Sequence, residues 1–334
     1  MRVAINGFGR IGRLVLRAWL ENYSNDLEIV AINDLQGLDT ALHLLKHDST
    51  HGFFAADIEK ISENEFSVGN HKISYTAEKD PQKLSWNNVD VVMECTGIFK
   101  TKSLCLAHLK AGAKKVLLAC PSEDFERTII FGVNNSDLKS DDIFVSNGSC
   151  TTNCLAPVVQ VLHNEFKIVK GFASTIHSYT GDQNILDAKH KDLRRARSAA
   201  DNIIPTTTGA AKTIEKIFPE LKDKISGTAF RVPTPNVSLI DCNFIVEKNT
   251  TAEEVCETMI HWADHRFAKN ILGYTREPLV SSDFIHSSFS SIIDLPLVKV
   301  IDGNMIHVIS WYDNEWGFSN RMLDTAKLMG KEFI

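Results

Sequence analysis

A glycine-rich turn near the amino terminus, residues 7–12 (GFGRIG), limits the possible folds of this chain more than any other feature. It directly follows a short apolar run, residues 2–6, and precedes a helix-compatible segment, residues 13–23. A strand, a tight glycine turn and a helix in this order form the pyrophosphate site of dinucleotide-binding folds. The sequence therefore predicts that the chain begins with such a site.

The residues in and after this turn indicate which dinucleotide is bound. Gly7 permits the tight turn, Gly9 lets phosphates approach the backbone, and Gly12 lets the helix pack on the strand. A second apolar strand, residues 28–33, ends in Asp34. A carboxylate there accepts hydrogen bonds from the adenosine ribose hydroxyls and repels a 2′-phosphate, so NAD is the expected cofactor.

Further apolar runs continue the alternation of strands and helices. Repeated strands with helical crossovers predict a doubly wound, mostly parallel sheet of the Rossmann type. After residue 150 longer strands appear without regular crossovers, which predicts a second α+β catalytic domain with a mixed or antiparallel sheet. The fold class is therefore α/β. In the first half the expected strands are 90–95, 115–119, 129–133 and 143–145, with a helix at 103–111; the longer strands are 169–177, 227–231, 237–246 and 305–312.

Length and composition agree with this division. A chain of 334 residues with 43% hydrophobic residues suggests two domains. We expect an NAD-binding domain at 1–149, joined by a carboxy-terminal helix at 315–334, and a catalytic domain at 150–314.

Charge and cysteine usage exclude several classes of function. A net charge of −6 does not indicate nucleic-acid binding, and no apolar run is long enough to span a bilayer. The amino terminus lacks the apolar core of a signal peptide, so a cytoplasmic protein is expected. The seven scattered cysteines do not form a disulfide framework, and no second Cys pair or His spacing indicates a metal site.

Cys150 is the candidate nucleophile. It lies between a short apolar strand, residues 143–145, and an apolar helical segment, residues 155–166, and therefore in the first turn of a helix. The free N–H groups and the dipole of that helix favour an anion, so we expect the thiol to ionise readily. The alternative is that Cys150 is a small buried apolar residue, as most cysteines are.

Two polar segments in the second half remain ambiguous by themselves. Residues 178–208 are long and polar and contain a basic run, 189–197, which is either a solvated face or a functional loop. Residues 206–209 (TTTG) open a helix at 210–217, and such a helix start is either an ordinary cap or a phosphate site.

Taken together, these motifs resemble the phosphorylating glyceraldehyde-3-phosphate dehydrogenases of the type I family. The resemblance implies NAD-dependent conversion of D-glyceraldehyde 3-phosphate and inorganic phosphate to 1,3-bisphosphoglycerate in glycolysis and gluconeogenesis, by a cytoplasmic homotetramer. The matching stretches span almost the whole chain in family order: residues 5–13, 149–157, 177–183, 207–212, 231–238 and 311–317.

The resemblance also assigns roles to residues. Cys150 forms a thiohemiacetal and then a thioester, and His177 is its acid–base partner; without the resemblance, His177 is a lone histidine at a strand end. Thr180 and Arg231 hold the phosphate of the substrate. The attacking phosphate is held by Ser149, Thr151, Arg195, Thr208 and Gly209. The cofactor residues are Gly7, Gly9, Arg10, Ile11, Gly12, Asp34, Lys79, Thr96, Ala119 and Asn314.

The sequence departs from the family pattern at a few positions. Ala119 stands where a hydroxyl residue is common, Gly148 replaces a usual Ala, and Phe318 stands where Tyr is common. Ala188 and Lys189 replace the Leu-Pro pair of NAD-preferring members, so weak use of NADP beside NAD is a hypothesis.

Two other functions remain open at this point. One is an erythrose-4-phosphate dehydrogenase, a related enzyme that hydrolyses its thioester; residues 283–286 and 319–325 resemble that group. The other is a non-catalytic NAD-binding or adhesive protein.

Overall fold

The computed structural model describes residues 1–331 of the chain, which form two compact units. The first unit contains Met1–Gly148 and the residues from Ser319 on, and the second contains Ser149–Phe318. Within residues 1–331, none of the helices combines the length and the apolar character needed to cross a membrane.

The first unit is a sheet with helices between its strands. Its helices before Gly148 are α1 (Arg10–Asn22), α2 (Leu38–Lys46) and α3 (Lys102–Lys110). Its strands are β1 (Arg2–Asn6), β2 (Glu28–Asn33), β3 (His47–Asp48), β4 (Gly52–Phe53), β5 (Ile58–Ser62), β6 (Glu65–Val68), β7 (His71–Thr76), β8 (Val91–Glu94), β9 (Lys115–Leu118), β10 (Arg127–Thr128) and β11 (Phe144–Ser146).

The strand order of this sheet confirms the doubly wound fold. The order is β10-β11-β9-β8-β1-β2-β7-β6-β5, and every pair from β10 to β7 is parallel. The connections turn back at β1, so that β2 and β7 lie on one side of it and β8 and β9 on the other. Sheets of this kind bind ligands at that reversal, beyond the carboxyl ends of the strands.

Two glycines of the predicted turn are required by close backbone contacts. Gly7 has a φ of 95°, and a Cβ there would lie 2.6 Å from the backbone nitrogen of Thr96. A Cβ on Gly12 would lie 2.1 Å from the carbonyl oxygen of Gly7. The turn therefore packs directly on its neighbours, as predicted for a helix close to its strand.

The predicted strand at 129–133 is wrong. The strand in this region is β10, Arg127–Thr128, and the chain turns immediately after it. Asn134 causes the turn, because its Oδ1 accepts the backbone N–H of Ile130 at 2.8 Å and its own N–H bonds the Ile130 carbonyl at 3.3 Å. Of the apolar residues that suggested a strand, Ile129 and Ile130 are buried and Phe131 and Val133 are half-buried at the turn.

The second unit has longer strands, as expected. Its helices are α4 (Cys150–Phe166), α5 (Ala210–Ile217) and α6 (Ala252–His265); the last helix, α7 (Trp316–Met329), belongs to the first unit from Ser319 on. Residues 332–334 of the predicted 315–334 helix lie outside the described residues. The strands are β12 (Ile168–Ser178), β13 (Ile204–Thr206), β14 (Ile225–Val232), β15 (Ser238–Val246), β16 (Leu272–Thr275), β17 (Ser291–Asp294), β18 (Lys299–Ile301) and β19 (Met305–Tyr312).

The sheet of the second unit is mixed, which confirms the predicted fold class. Its order is β13-β14-β12-β15-β19-β17-β16, with β18 beside β19. The pairs β12–β14 and β16–β17 are parallel and the others are antiparallel. Helix α4 packs on this sheet and begins at Cys150, because Ser149 caps it by accepting the backbone N–H of Thr152 at 3.1 Å.

We expect Gly7→Ala to lower the free energy of unfolding by roughly 2 kcal/mol or more, because the new Cβ adds a close contact to a left-handed backbone. Gly9→Ala is the matched control: nothing lies within 4 Å of a Cβ there, so its cost should be clearly smaller. Urea denaturation of both variants measures the difference. Equal losses of stability would contradict the packing role assigned to Gly7.

Candidate active site

The second unit brings Cys150 and His177 into contact. Cys150 is the first residue of α4, and His177 is the last but one of β12. The Sγ atom of Cys150 lies 3.4 Å from Nε2 of His177. The contact joins the nucleophile and base suggested by the resemblance, and its distance suits a proton transfer between sulfur and nitrogen.

Arg231 contacts the other side of the imidazole. In the parallel pairing of β12 with β14, Arg231 is the register partner of His177. Its Nη1 lies 2.5 Å from Nδ1 of His177 and 3.1 Å from the carbonyl oxygen of Ser178. That carbonyl is itself 2.7 Å from Nδ1. The guanidinium donates to Nδ1 and so favours the tautomer protonated on Nε2. The carbonyl of Ser178 accepts from Nδ1 and so favours the tautomer protonated on Nδ1. Each tautomer of His177 therefore has a hydrogen-bond partner.

Burial determines the protonation of this pair. Burial first, and then the charge of Arg231, lower the pKa of His177 to about 3. Burial raises the pKa of the Cys150 thiol, whereas the Arg231 charge and hydrogen bonds with Thr151 lower it. The expectation of a lowered thiol pKa is therefore wrong in its net direction, because burial of the sulfur outweighs the effect of the helix start.

Tyr312 supports the site from within the sheet and was missed by sequence reasoning. Its hydroxyl lies 3.0 Å from Oγ1 of Thr151 and 2.9 Å from Oγ1 of Thr175. Its ring meets the His177 ring edge to face, with centroids 5.9 Å apart. Tyr312 is buried at the end of an alternating strand, where it looks like an ordinary core residue, so only its place in the 311–317 motif could have indicated a role.

Two of the predicted phosphate residues share a cavity. Thr151 and Thr208 line the same small cavity beside the first residues of α5. The Oγ1 atom of Thr208 accepts the backbone N–H of Ala210 at 3.2 Å. Gly209, which caps α5, is exposed. The hydroxyls and helix start that the sequence suggested as an anion site therefore lie together.

The other predicted phosphate residues have partners of their own. Arg195 donates to Oγ1 of Thr206 at 3.0 Å and forms an ion pair with Asp182. It also lies near enough to His177 for its charge to lower the pKa of the imidazole. Ser149 is used as the cap of α4, and Thr180 is half-buried with its backbone N–H bonded to Gln183.

Asn314 is held by two serines that the sequence did not indicate. Its Oδ1 accepts the hydroxyl groups of Ser178 and Ser238, each at 2.9 Å. The backbone N–H of Ser178 in turn bonds the Ser238 hydroxyl at 3.1 Å. All three side chains are buried, so these bonds fix the orientation of the Asn314 amide.

The first unit has a separate open cavity of about 390 Å³ beyond the ends of its central strands. Among the predicted cofactor residues, Gly7, Gly9, Asp34, Lys79 and Thr96 line it. A Cβ on Gly9 would meet nothing within 4 Å, so the start of α1 faces open space. Open space at a glycine turn and helix start suits a pyrophosphate, and the carboxylate of Asp34 suits a ribose.

The remaining predicted cofactor residues do not line this cavity. Arg10 pairs with Asp48 at 2.6 Å. Gly12 packs against the Gly7 carbonyl, Ile11 lies in the first turn of α1, and Ala119 directly follows β9. Asn314 belongs to the second unit.

Two family models of known proteins match this chain, one in each unit. The family model of the glyceraldehyde 3-phosphate dehydrogenase NAD binding domain matches residues 1–102, and that of the C-terminal domain matches residues 149–314. A glyceraldehyde-3-phosphate dehydrogenase of Cereibacter sphaeroides is 54% identical over 331 residues, 99% of each chain. One of Geobacillus stearothermophilus is 51% identical, covering 98% of this chain and 97% of the relative. A chloroplastic glyceraldehyde-3-phosphate dehydrogenase A of Chlamydomonas reinhardtii is 49% identical, over 100% of this chain and 90% of the relative.

We expect Arg231→Leu to raise the pKa values of both His177 and Cys150, because the removed cation disfavours imidazolium and favours thiolate. Titration of ¹⁵N-labelled histidine by NMR reports the first, and the pH dependence of iodoacetamide alkylation reports the second. Arg127→Leu is the control, since Arg127 pairs with Asp142 in the first unit. An unchanged or lowered His177 pKa in Arg231→Leu would contradict the electrostatic role of Arg231.

Proposed function

This chain belongs to the glyceraldehyde-3-phosphate dehydrogenase family, and we propose that Cys150 and His177 carry out its aldehyde oxidation. It is an NAD-dependent oxidoreductase. The proposed reaction is the reversible oxidative phosphorylation of D-glyceraldehyde 3-phosphate to 1,3-bisphosphoglycerate. The observation that supports this assignment is the 3.4 Å contact between Sγ of Cys150 and Nε2 of His177.

The first step forms a bond between sulfur and the aldehyde carbon. As Sγ attacks, Nε2 of His177 takes the thiol proton and then returns it to the new oxyanion, which gives a neutral thiohemiacetal. The neutral state of the buried imidazole suits it to act as a base here. We assign the stabilisation of this oxyanion to the free backbone N–H groups in the first turn of α4.

The second step oxidises the thiohemiacetal to a thioester. Bound NAD supplies the acceptor for the hydride that leaves the substrate carbon. His177 takes the hydroxyl proton as the carbonyl forms, so that one hydride and one proton leave together. Burial and the nearby Arg231 guanidinium disfavour the imidazolium, so His177 holds this proton weakly until the third step.

The third step transfers the acyl group to phosphate. A phosphate oxygen attacks the thioester carbon, the carbon–sulfur bond breaks, and His177 passes the proton it took in the second step to the sulfur. The proton of the attacking hydrogen phosphate is released to solvent. We assign the attacking phosphate to Thr151, Thr208, Gly209, Arg195 and Ser149, and the phosphate of the substrate to Arg231 and Thr180. The planar donor groups of arginine, which suit phosphate, and the position of Thr208 and Gly209 at the start of α5 support this division.

We further propose a homotetramer in the cytoplasm. Exposed apolar side chains in the 178–208 segment support self-association, since such groups are usually covered by a partner. Ile185, Leu186, Leu193 and Ile203 are 77%, 75%, 83% and 68% exposed. All seven cysteines are free, which suits a reducing compartment.

NADH formation from glyceraldehyde 3-phosphate should require inorganic phosphate for turnover. Without phosphate we expect a burst of at most one NADH per active site, because the thioester accumulates on Cys150. Cys150→Ala should abolish the burst, and His177→Asn should lower kcat by roughly 10²- to 10⁴-fold, since it removes the acid–base group. Stopped-flow absorbance of NADH measures both the burst and the steady-state turnover.

Two outcomes of that assay would contradict the proposal. Turnover that does not depend on phosphate and is faster with erythrose 4-phosphate would indicate the hydrolysing relative. A full activity of Cys150→Ala would show that the sulfur takes no part in the reaction.

Weak use of NADP is a second property to test. Lys189 is a cation at a position where the family pattern places Pro, and a cation can offset the repulsion of a 2′-phosphate. The carboxylate of the neighbouring Asp187 forms an ion pair with Arg197, at 3.1 Å. We expect Lys189→Ala to lower kcat/KM for NADP several-fold and to leave that for NAD unchanged. An unchanged ratio of the two values would refute the role of Lys189.

A further inference from the structure

Ser178, the residue after His177, belongs to a ring of buried hydrogen bonds in the second unit. Its backbone N–H bonds the hydroxyl of Ser238 at 3.1 Å, and its own hydroxyl donates to Oδ1 of Asn314 at 2.9 Å. The Ser238 hydroxyl donates to the same oxygen, also at 2.9 Å. The three buried side chains therefore form a closed polar ring in which each hydroxyl proton has an acceptor.

The turn that follows β14 fixes the peptide group that carries the carbonyl oxygen of Ser178. The N–H of that peptide, from Tyr179, bonds the carbonyl oxygen of Thr234 at 3.2 Å. A trans peptide is planar, so its N–H and its C=O point in opposite directions. The bond to Thr234 therefore directs the Ser178 carbonyl to the other side, where Nδ1 of His177 lies at 2.7 Å.

The same turn contains a residue in a costly backbone conformation. Val237 has a φ of 67° and is 3% exposed, and its side chain packs with Phe284 and Ile292. Among the described residues it is the only β-branched one with a positive φ. A β-branched residue adopts this conformation only where its surroundings hold it there. The turn between Thr234 and Ser238 is therefore held in one geometry.

Two groups compete for Nδ1 of His177. The Nη1 atom of Arg231 lies 2.5 Å from Nδ1 and 3.1 Å from the carbonyl oxygen of Ser178. When Nδ1 carries the proton, it donates to this carbonyl, which has two lone pairs and accepts from Arg231 as well. When Nδ1 carries no proton, it accepts from the guanidinium, and Nε2 is the protonated nitrogen.

Only the first of these two forms can act as a base toward Cys150. Nε2 faces the Sγ atom of Cys150 at 3.4 Å, and it can take the thiol proton only when it holds none. Burial and the charge of Arg231 lower the pKa of His177 to about 3, so the imidazole is neutral near neutral pH and carries a single proton. The position of that proton therefore decides whether the base is ready.

We propose that Ser238 and the turn before it form a positioning device that selects the Nδ1-protonated tautomer of His177. They hold the Ser178 carbonyl where it accepts from both Nδ1 and Arg231, so the guanidinium has an acceptor other than the imidazole. Ser238 is the positioning residue, because its hydroxyl joins the turn to the backbone of Ser178 and to the side chain of Asn314. The inference rests on His177 as the base of the proposed reaction, but the tautomer itself is measured without substrate.

The direct test is the tautomer of His177 in the wild-type protein and in Ser238→Ala. The ¹⁵N resonances of the two ring nitrogens, measured by NMR near neutral pH, report which one carries the proton, and the spectrum of His177→Asn assigns them. We expect Nδ1 to carry it in the wild-type protein. Ser238→Ala should shift the tautomer ratio toward Nε2–H by about three- to tenfold, the contribution of one hydrogen bond.

Three further variants separate positioning from a general loss of stability. Ser310→Ala also removes a buried hydroxyl from this sheet, one bonded to the Ser291 hydroxyl at 2.7 Å, and it should leave the tautomer unchanged. Ser238→Thr keeps the hydroxyl and should keep the wild-type ratio. Arg231→Leu combined with Ser238→Ala removes the competing donor, so the ratio should return toward Nδ1–H.

The kinetic consequence separates this proposal from the proposed reaction. At saturating NAD, Ser238→Ala should slow the NADH burst by the factor by which the Nδ1–H form declines. A shifted tautomer with an unchanged burst would confirm the positioning role of Ser238 and contradict His177 as the base.

Two results would overturn the proposal. The first is a wild-type protein in which Nε2 carries the proton, and this measurement does not require any variant to fold. The second is a folded Ser238→Ala variant with the wild-type tautomer ratio, which would leave the polar ring a purely structural role.

Discussion

The register between β12 and β14 is the constraint on which the site of the second unit depends. It places Arg231 beside His177, and the start of α4 brings Cys150 to the other ring nitrogen. A shift of one residue in a strand would turn these side chains to the opposite face of the sheet. The long antiparallel pairing of β12 with β15 holds the same strand from its other side, so the position of His177 is fixed by two neighbours.

Burial and the charge of Arg231 act in opposite directions on the pKa of Cys150 and in the same direction on the pKa of His177. Burial of Cys150 and His177 favours an uncharged thiol and an uncharged imidazole. The guanidinium of Arg231 favours a thiolate but disfavours an imidazolium, so it acts in opposite senses on the two groups. A site of this kind holds a neutral base ready for a proton and returns that proton easily, which suits a reaction with several proton transfers.

In the first unit, close packing and buried hydrogen bonds shape the cavity beside the glycine turn. The contacts of Gly7 and Gly12 bring α1 close to β1 and leave open space beside Gly9. Glu94, at the end of β8, is a fully buried carboxyl group that is hydrogen-bonded to Asn6, Thr96 and His108. One unit therefore keeps a base neutral by burial and by a nearby cation, and the other surrounds a buried carboxyl group with hydrogen-bond partners.

The sequence by itself determined the features that depend on neighbouring residues. The glycine turn, the start of α4 at Cys150, and the bounds of α5 and β19 follow from local pattern and capping. Only the tertiary structure decided which distant side chains meet: Tyr312 with Thr151, Asn314 with Ser178, and Glu94 with His108. It also reversed the expected direction of the Cys150 pKa and replaced the strand expected at 129–133. The reason is that burial and register arise from packing between segments far apart in the chain, whereas a local pattern reports only the neighbours of a residue.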